Sequence, residues 1–87
     1  MIYRIYTEDK NRDTIRTIAG TYFDGYSLIP CEGVWKGKGE KALIIEIVVQ
    51  APSARKRVTQ MATAIKSRNK QEAVMIVAIN EDDQCFI

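Results

Sequence analysis

Histidine is absent from this sequence. Its absence excludes Ser-His-Asp and Cys-His nucleophile systems, histidine-ligated zinc and any imidazole-based pH switch. Cysteine is nearly as scarce: Cys31 and Cys85 cannot build a disulfide scaffold, so free thiols and a reducing cytoplasm are expected. Long hydrophobic runs are missing too. The longest apolar block, Ala42 to Val49, is broken by Glu46, and it falls well short of the ~20 apolar residues that cross a bilayer. Met1-Ile2-Tyr3-Arg4 opens directly on a strand-like pattern without an apolar signal-peptide core. Two prolines and five glycines leave no material for a low-complexity linker, and no segment repeats. Net charge is only +2, too little by itself to imply a polyanionic partner.

What remains is an 87-residue chain, read as one domain spanning residues 1–87. Apolar residues make up 46% and charged residues 28%, the balance of a globule and not of a disordered tail. A chain of this size buries roughly 60–65% of its unfolded surface, so its core is thin. Charge is unevenly distributed. Residues 52–70 hold Arg55, Lys56, Arg57, Lys66, Arg68 and Lys70 without an acid, whereas 71–87 hold Glu72, Glu81, Asp82 and Asp83 without a base.

Met1 to Thr7 is β-branched and aromatic and reads as a strand. Asn11 or Asp13 can cap a helix over Thr14 to Phe23, where Ile15, Ile18, Ala19 and Tyr22 form one stripe. Asp24-Gly25 ends it, with Gly25 suited to a left-handed C-terminal position. Tyr26 to Trp35 and Lys41 to Gln50 read as two strands joined by the short connection Lys36-Gly37-Lys38-Gly39-Glu40. Pro30 marks the first of these as an edge or a bulge. A second helix starts at Ala51-Pro52-Ser53, carries the stripe Ala54, Val58, Met61, Ala62 and Ile65, and stops near Asn69. Ala73 to Asn80 is a fourth strand, and Glu81 to Ile87 is a short tail.

The order β-α-β-β-α-β predicts an α+β, ferredoxin-like sandwich: a four-stranded antiparallel sheet with two helices on one face. Alternation along the third strand gives Leu43, Ile45, Ile47 and Val49 on one face and Ala42, Ile44, Glu46 and Val48 on the other. In the fourth, Val74, Ile76 and Ala78 oppose Met75, Val77 and Ile79. Both faces are apolar, yet the topology covers one. A homo-oligomer through the open sheet face resolves the conflict. Coverage by the tail or a neighbouring loop is the alternative.

Val34-Trp35-Lys36-Gly37-Lys38-Gly39-Glu40-Lys41-Ala42-Leu43-Ile44-Ile45 resembles the Trp-x-Gly-Lys-x-Glu…Leu-Ile-Ile hairpin of the CutA family. Gly25-Tyr26-Ser27-Leu28, Cys31-Glu32-Gly33 and Ile45-Glu46-Ile47-Val48-Val49 resemble the second and third strands of PII (GlnB-type) signalling proteins. The motifs span residues 25–50, and the topology spans the chain. The resemblance implies a homotrimer with sheets facing the threefold axis and ligand clefts between subunits. Three departures limit it. The connection between the second and third strands is short where PII proteins carry a long target-binding loop. Lys66-Ser67-Arg68-Asn69-Lys70-Gln71 lacks the glycines of their phosphate-wrapping loop. No histidine is present for the metal associated with CutA relatives. The fold therefore transfers more safely than nucleotide binding, and nucleotide binding more safely than metal.

The candidate ligand site joins Gly33, Trp35, Lys36 and Lys38 at the end of the second strand to Lys66, Arg68 and Lys70 at the end of the second helix. Trp35 can stack on a planar ring, Gly33 allows close backbone approach, and the cations can meet phosphate or carboxylate oxygens. The same cations also simply complement a helix dipole.

No catalytic constellation is visible, and neither cofactor nor metal is expected. Asp9, near the end of the first strand, resembles one residue of dimeric ferredoxin-like nucleases. Asp82 and Asp83 could hold Mg²⁺ across an interface, though a wet acidic tail explains them as well. Cys31 is read as a buried structural thiol. The resulting expectation is a non-enzymatic, cytoplasmic, trimeric regulatory or accessory protein that binds a small anionic ligand, a nucleotide among the candidates. The alternatives are an interaction or inhibitor module without a small ligand and, less favoured, a nucleic-acid-binding protein.

Overall fold

A computed structural model describes residues 1–79. The elements are β1 (Ile2–Glu8), α1 (Arg12–Tyr22), β2 (Ser27–Trp35), β3 (Lys38–Val48), α2 (Ala54–Arg68) and β4 (Met75–Ile79). They form one antiparallel sheet in the order β2-β3-β1-β4. Both helices contribute to a single hydrophobic cluster on one side of it. This is the ferredoxin-like α+β sandwich expected from the sequence.

The alternation of β1 and β3 decides which residues enter the core. Tyr3, Ile5 and Thr7 point to the helices together with Leu43, Ile45 and Ile47, and all six are buried. From α1 come Ile15, Ile18 and Ala19, and from α2 the expected stripe Ala54, Val58, Met61, Ala62 and Ile65. Arg57 fastens the two helices, donating from Nη1 to the Tyr22 carbonyl at 3.2 Å while its guanidinium lies 4.8 Å over the Phe23 ring. It is therefore not a free member of the Arg55-Lys56-Arg57 cluster.

Several local expectations are corrected. The β2–β3 connection is the two residues Lys36 and Gly37, with φ of 52° and 76°. Positive φ at both positions is a type I′ turn, whose twist matches that of the strands. Asn11 occupies the α1 N-cap position, but in a left-handed conformation and without a side-chain cap. Its amide instead donates to Asn69 Oδ1 at 3.2 Å, and Asp13 lies within the first turn, paired with Arg16. Gly25 is not left-handed, because α1 ends on Phe23 in an extended conformation whose side chain is buried. The edge position expected for Pro30 is observed: β2 is an edge strand, where a residue without an N–H is tolerated.

The protein measures 34 × 32 × 18 Å. Its short dimension holds one sheet and one helix layer, so no described residue covers the second sheet face; the tail, Glu81 to Ile87, the alternative cover, lies outside the described residues. That face presents Val48 at 62% and Met75 at 55% exposure, beside Ile2, Ile44, Val77 and Ile79.

Candidate ligand-binding site

The β2–β3 hairpin outruns the rest of the sheet. β1 stops pairing with β3 at Glu8 opposite Ala42, whereas β2 and β3 continue from Glu32 opposite Lys41 to Trp35 opposite Lys38. Four residue pairs thus project as an arm. At its tip Trp35 is 70% exposed, and Lys36 Nζ stands 5.9 Å from the centre of its ring. Trp35 and Lys38, cross-strand partners on one face, line a small hollow of about 240 Å³ with Gly39 and Glu40.

The basic segment is fixed by the end of α2. Gln71 N–H donates to the Lys66 carbonyl at 3.0 Å and Lys70 N–H to that of Ser67 at 3.3 Å, with Lys70 left-handed at φ 52°. These two bonds around a left-handed residue make a Schellman termination, built here without glycine. Asn69 and Gln71 then turn inward and are buried. Asn69 Nδ2 donates to the Lys10 carbonyl at 3.1 Å, and Gln71 Oε1 accepts from the Thr7 hydroxyl at 2.9 Å and from Glu8 N–H at 3.1 Å. Helix end and β1–α1 loop are one rigid corner. From it Lys66, Arg68 and Lys70 project, exposed, and among the described residues no carboxylate pairs with them.

Among the described residues, neither the hollow at Trp35 nor either of two larger cavities joins Trp35 and its neighbouring lysines to Lys66, Arg68 and Lys70. The two candidate segments approach through Gly33 and Gln71, which line a cavity of about 370 Å³ with Tyr6, Glu8, Cys31 and Glu40. A neighbouring hollow of about 640 Å³ lies between the hairpin base and the β1–α1 loop, lined by Asp9, Arg12, Glu32, Glu40 and Lys41 among others. Asp9 was singled out in the sequence, but its gathering with Glu32 and Glu40 around one hollow was not anticipated. Glu32 and Glu40 sit on opposite faces of the arm and would have needed its register to be located.

Gln71 gave no signal beyond its polar neighbours. Asp9 and Arg12 stand at i,i+3, a spacing that does suggest a pair. Arg12 grips Asp9 in a two-pronged bond, Nε to Oδ1 and Nη2 to Oδ2, both at 2.7 Å. The guanidinium holds the Asp9 carboxyl below the usual carboxylate range, and Asp9 in turn raises Arg12. An aspartate engaged in this way is poorly placed to act as a nuclease ligand. Among the described residues no group of three His, Cys, Asp or Glu side chains could hold a metal ion. Cys31 is only half-buried and borders both cavities, so the expectation of a buried thiol is not met. Asp82, Asp83 and Cys85 lie outside the described residues. No described helix is long and apolar enough to cross a membrane.

No family model matches the sequence, and no curated protein matches it. Solved structures do. The chain is similar to a phage SAM lyase in its apo state, with TM-score 0.69 and 17% identity over 86% of this chain and 75% of that one. It is similar to a DUF3240 family protein from Shewanella baltica OS155, with TM-score 0.64 and 16% identity over 98% and 94% of the two chains. It is also similar to the PII-like protein CutA from Nostoc sp. PCC 7120 in apo form, with TM-score 0.59 and 16% identity over 94% and 81%. The protein therefore has the ferredoxin-like fold of PII-like proteins, and its remote PII/CutA-like resemblance holds at the level of the fold.

Proposed function

We propose that the chain acts as one domain, a non-enzymatic, cytoplasmic PII-like regulatory or accessory protein. It assembles through its open sheet face, as a trimer, and binds a small anionic ligand of nucleotide size in the clefts between subunits. Gly33, Trp35, Lys36 and Lys38 of one subunit would supply the aromatic and backbone surface. Lys66, Arg68 and Lys70 of its neighbour would supply charge for phosphate or carboxylate oxygens.

The observation that carries this reading is Trp35. A tryptophan 70% exposed at the tip of a stiff hairpin, flanked by Lys36 and Lys38, is a stacking plane prepared for something outside its own protomer. In the absence of such a ligand, the same exposed arm and open sheet would serve a protein partner.

A second reading rests on the carboxylates. Glu8, Glu32 and Glu40 around the Gly33 cavity outnumber Lys41, which favours a cation-bearing group over an anion. The phage SAM lyase of the same fold makes SAM, a nucleoside with a positive sulfonium, the compound to try.

Titration calorimetry and thermal shift with ATP, ADP, cyclic AMP and SAM separate the readings. Stabilisation by a nucleotide that is lost in Trp35→Ala and in Arg68→Ala supports the anionic site. No response to any nucleotide sinks it. Consumption of SAM, followed by mass spectrometry, would overturn the non-enzymatic assignment.

A further inference from the structure

The centre of the open face carries one charged pair among mostly apolar side chains, with Ser27 of β2 opposite Glu46. Arg4 of β1 lies directly opposite Glu46 of β3, and its Nε donates to Glu46 Oε2 at 2.9 Å. On the same face this pair is bordered by Ile2 and Tyr6 on β1, by Ile44 and Val48 on β3, and by Val77 on β4. Arg4 retains 38% of its side-chain exposure and Glu46 retains 23%. Glu46 first, and the Tyr6 side chain second, hold the guanidinium charged.

While water reaches it, such a pair adds little to the stability of the protomer. Its effect on association is larger. An all-hydrocarbon partner would strip water from both charges and return nothing. A second copy of the same face brings the same base and the same acid. Within the protomer only Nε of Arg4 meets Glu46, and among the described residues no other carboxylate pairs with the guanidinium. Its terminal nitrogens are the natural donors to a further carboxylate.

We propose that the Arg4–Glu46 pair sets the register of the assembly. When copies meet through their open faces, the terminal nitrogens of each Arg4 bind Glu46 of the partner subunit, and a ring of alternating charges closes inside an apolar interface. This rests on the oligomeric reading above. The surrounding side chains supply the drive to associate, and the pair rejects slipped or inverted arrangements that set Arg4 against Arg4.

Charge reversal tests the ring. Arg4→Glu and Glu46→Arg should each run as folded monomers by circular dichroism and light scattering, with association weakened at least about 100-fold. The charge swap Arg4→Glu/Glu46→Arg in one chain restores an opposite-charge contact between every pair of neighbours and should bring back the wild-type assembly, as read by native mass spectrometry. The double variant Arg4→Leu/Glu46→Leu keeps an apolar face, should associate, and should populate several stoichiometries.

Oligomeric single reversals, or a charge-swapped chain that stays monomeric, would overturn the ring while leaving the oligomer in place. A double-leucine variant with the single stoichiometry of the wild type would do the same, and it decides the matter if the reversed chains do not fold. A monomeric wild type would remove both readings.

Discussion

Lys70 holds φ at 52°, a conformation that costs an L-residue about 1–2 kcal/mol and glycine almost nothing. Its position at the left-handed step of the α2 termination makes glycine the better residue for stability. Lys70→Gly should gain about 0.5–1 kcal/mol, read from the denaturant midpoint of the apo protein, and should weaken nucleotide binding if Lys70 is a ligand cation. Opposite signs in the two measurements would show a residue kept for its charge.

Asp9 supplies a second prediction at this scale. The Arg12 hydrogen bonds hold its carboxyl below the ordinary value, so the folded state releases this proton more readily than the unfolded chain. The resulting stabilisation is complete above the unfolded pKa of about 3.9 and is lost as pH falls through the lower folded value. Acid unfolding of Asp9→Asn should lack this part of the pH dependence, while the wild type keeps it.

At the scale of elements, the projecting hairpin depends on its turn. Gly37 at φ 76° is one of two left-handed positions in the type I′ turn. Gly37→Ala should cost about 1–2 kcal/mol, seen as a lower melting temperature. Nothing lies near the added methyl, so backbone strain is the sole cause. By contrast, Trp35→Ala at the exposed tip should leave the melting temperature of the protomer nearly unchanged.

The element pattern was largely legible in the sequence because it follows from periodicity. The α2 stripe matched residue for residue, and Asn69 was recognised as the stop. Helix and turn ends were less legible. Gly25 looked like a left-handed cap, but burial of Phe23 ended α1 first. Asn11 looked like an N-cap, but Asn69, remote in sequence, took its side chain. In both cases a tertiary contact overrode a local preference. The candidate site was legible in parts: Trp35, Lys36 and Lys38 do gather at one tip. The polar corner of Thr7, Asn69 and Gln71 was not, since its partners are separated by about sixty residues.

For the molecule as a whole, the open face is the dominant fact. Among the described residues, a slab 18 Å thick with Val48 and Met75 more than half exposed beside Ile2, Ile44 and Val77 presents a contiguous apolar face of the kind that marks an interaction surface. Light scattering should give a mass three times that of the 9.9 kDa chain. The melting temperature should rise with protein concentration, as mass action requires when assembly and folding are coupled. A concentration-independent melt at the mass of one chain would refute the assembly.

The sequence by itself determined the β-α-β-β-α-β order, the core stripe of each helix and the excess of apolar residues over what two helices can cover. These are properties of spacing, which the chain carries locally. The absence of histidine likewise removed whole classes of chemistry before any fold was known. Only the tertiary structure set Arg4 against Glu46 in the middle of the open face, brought Glu32 and Glu40 beside Asp9 around one hollow, and sent the hairpin past the sheet with Trp35 at its tip. Those features depend on strand register and loop geometry, which bring together residues that no local pattern relates.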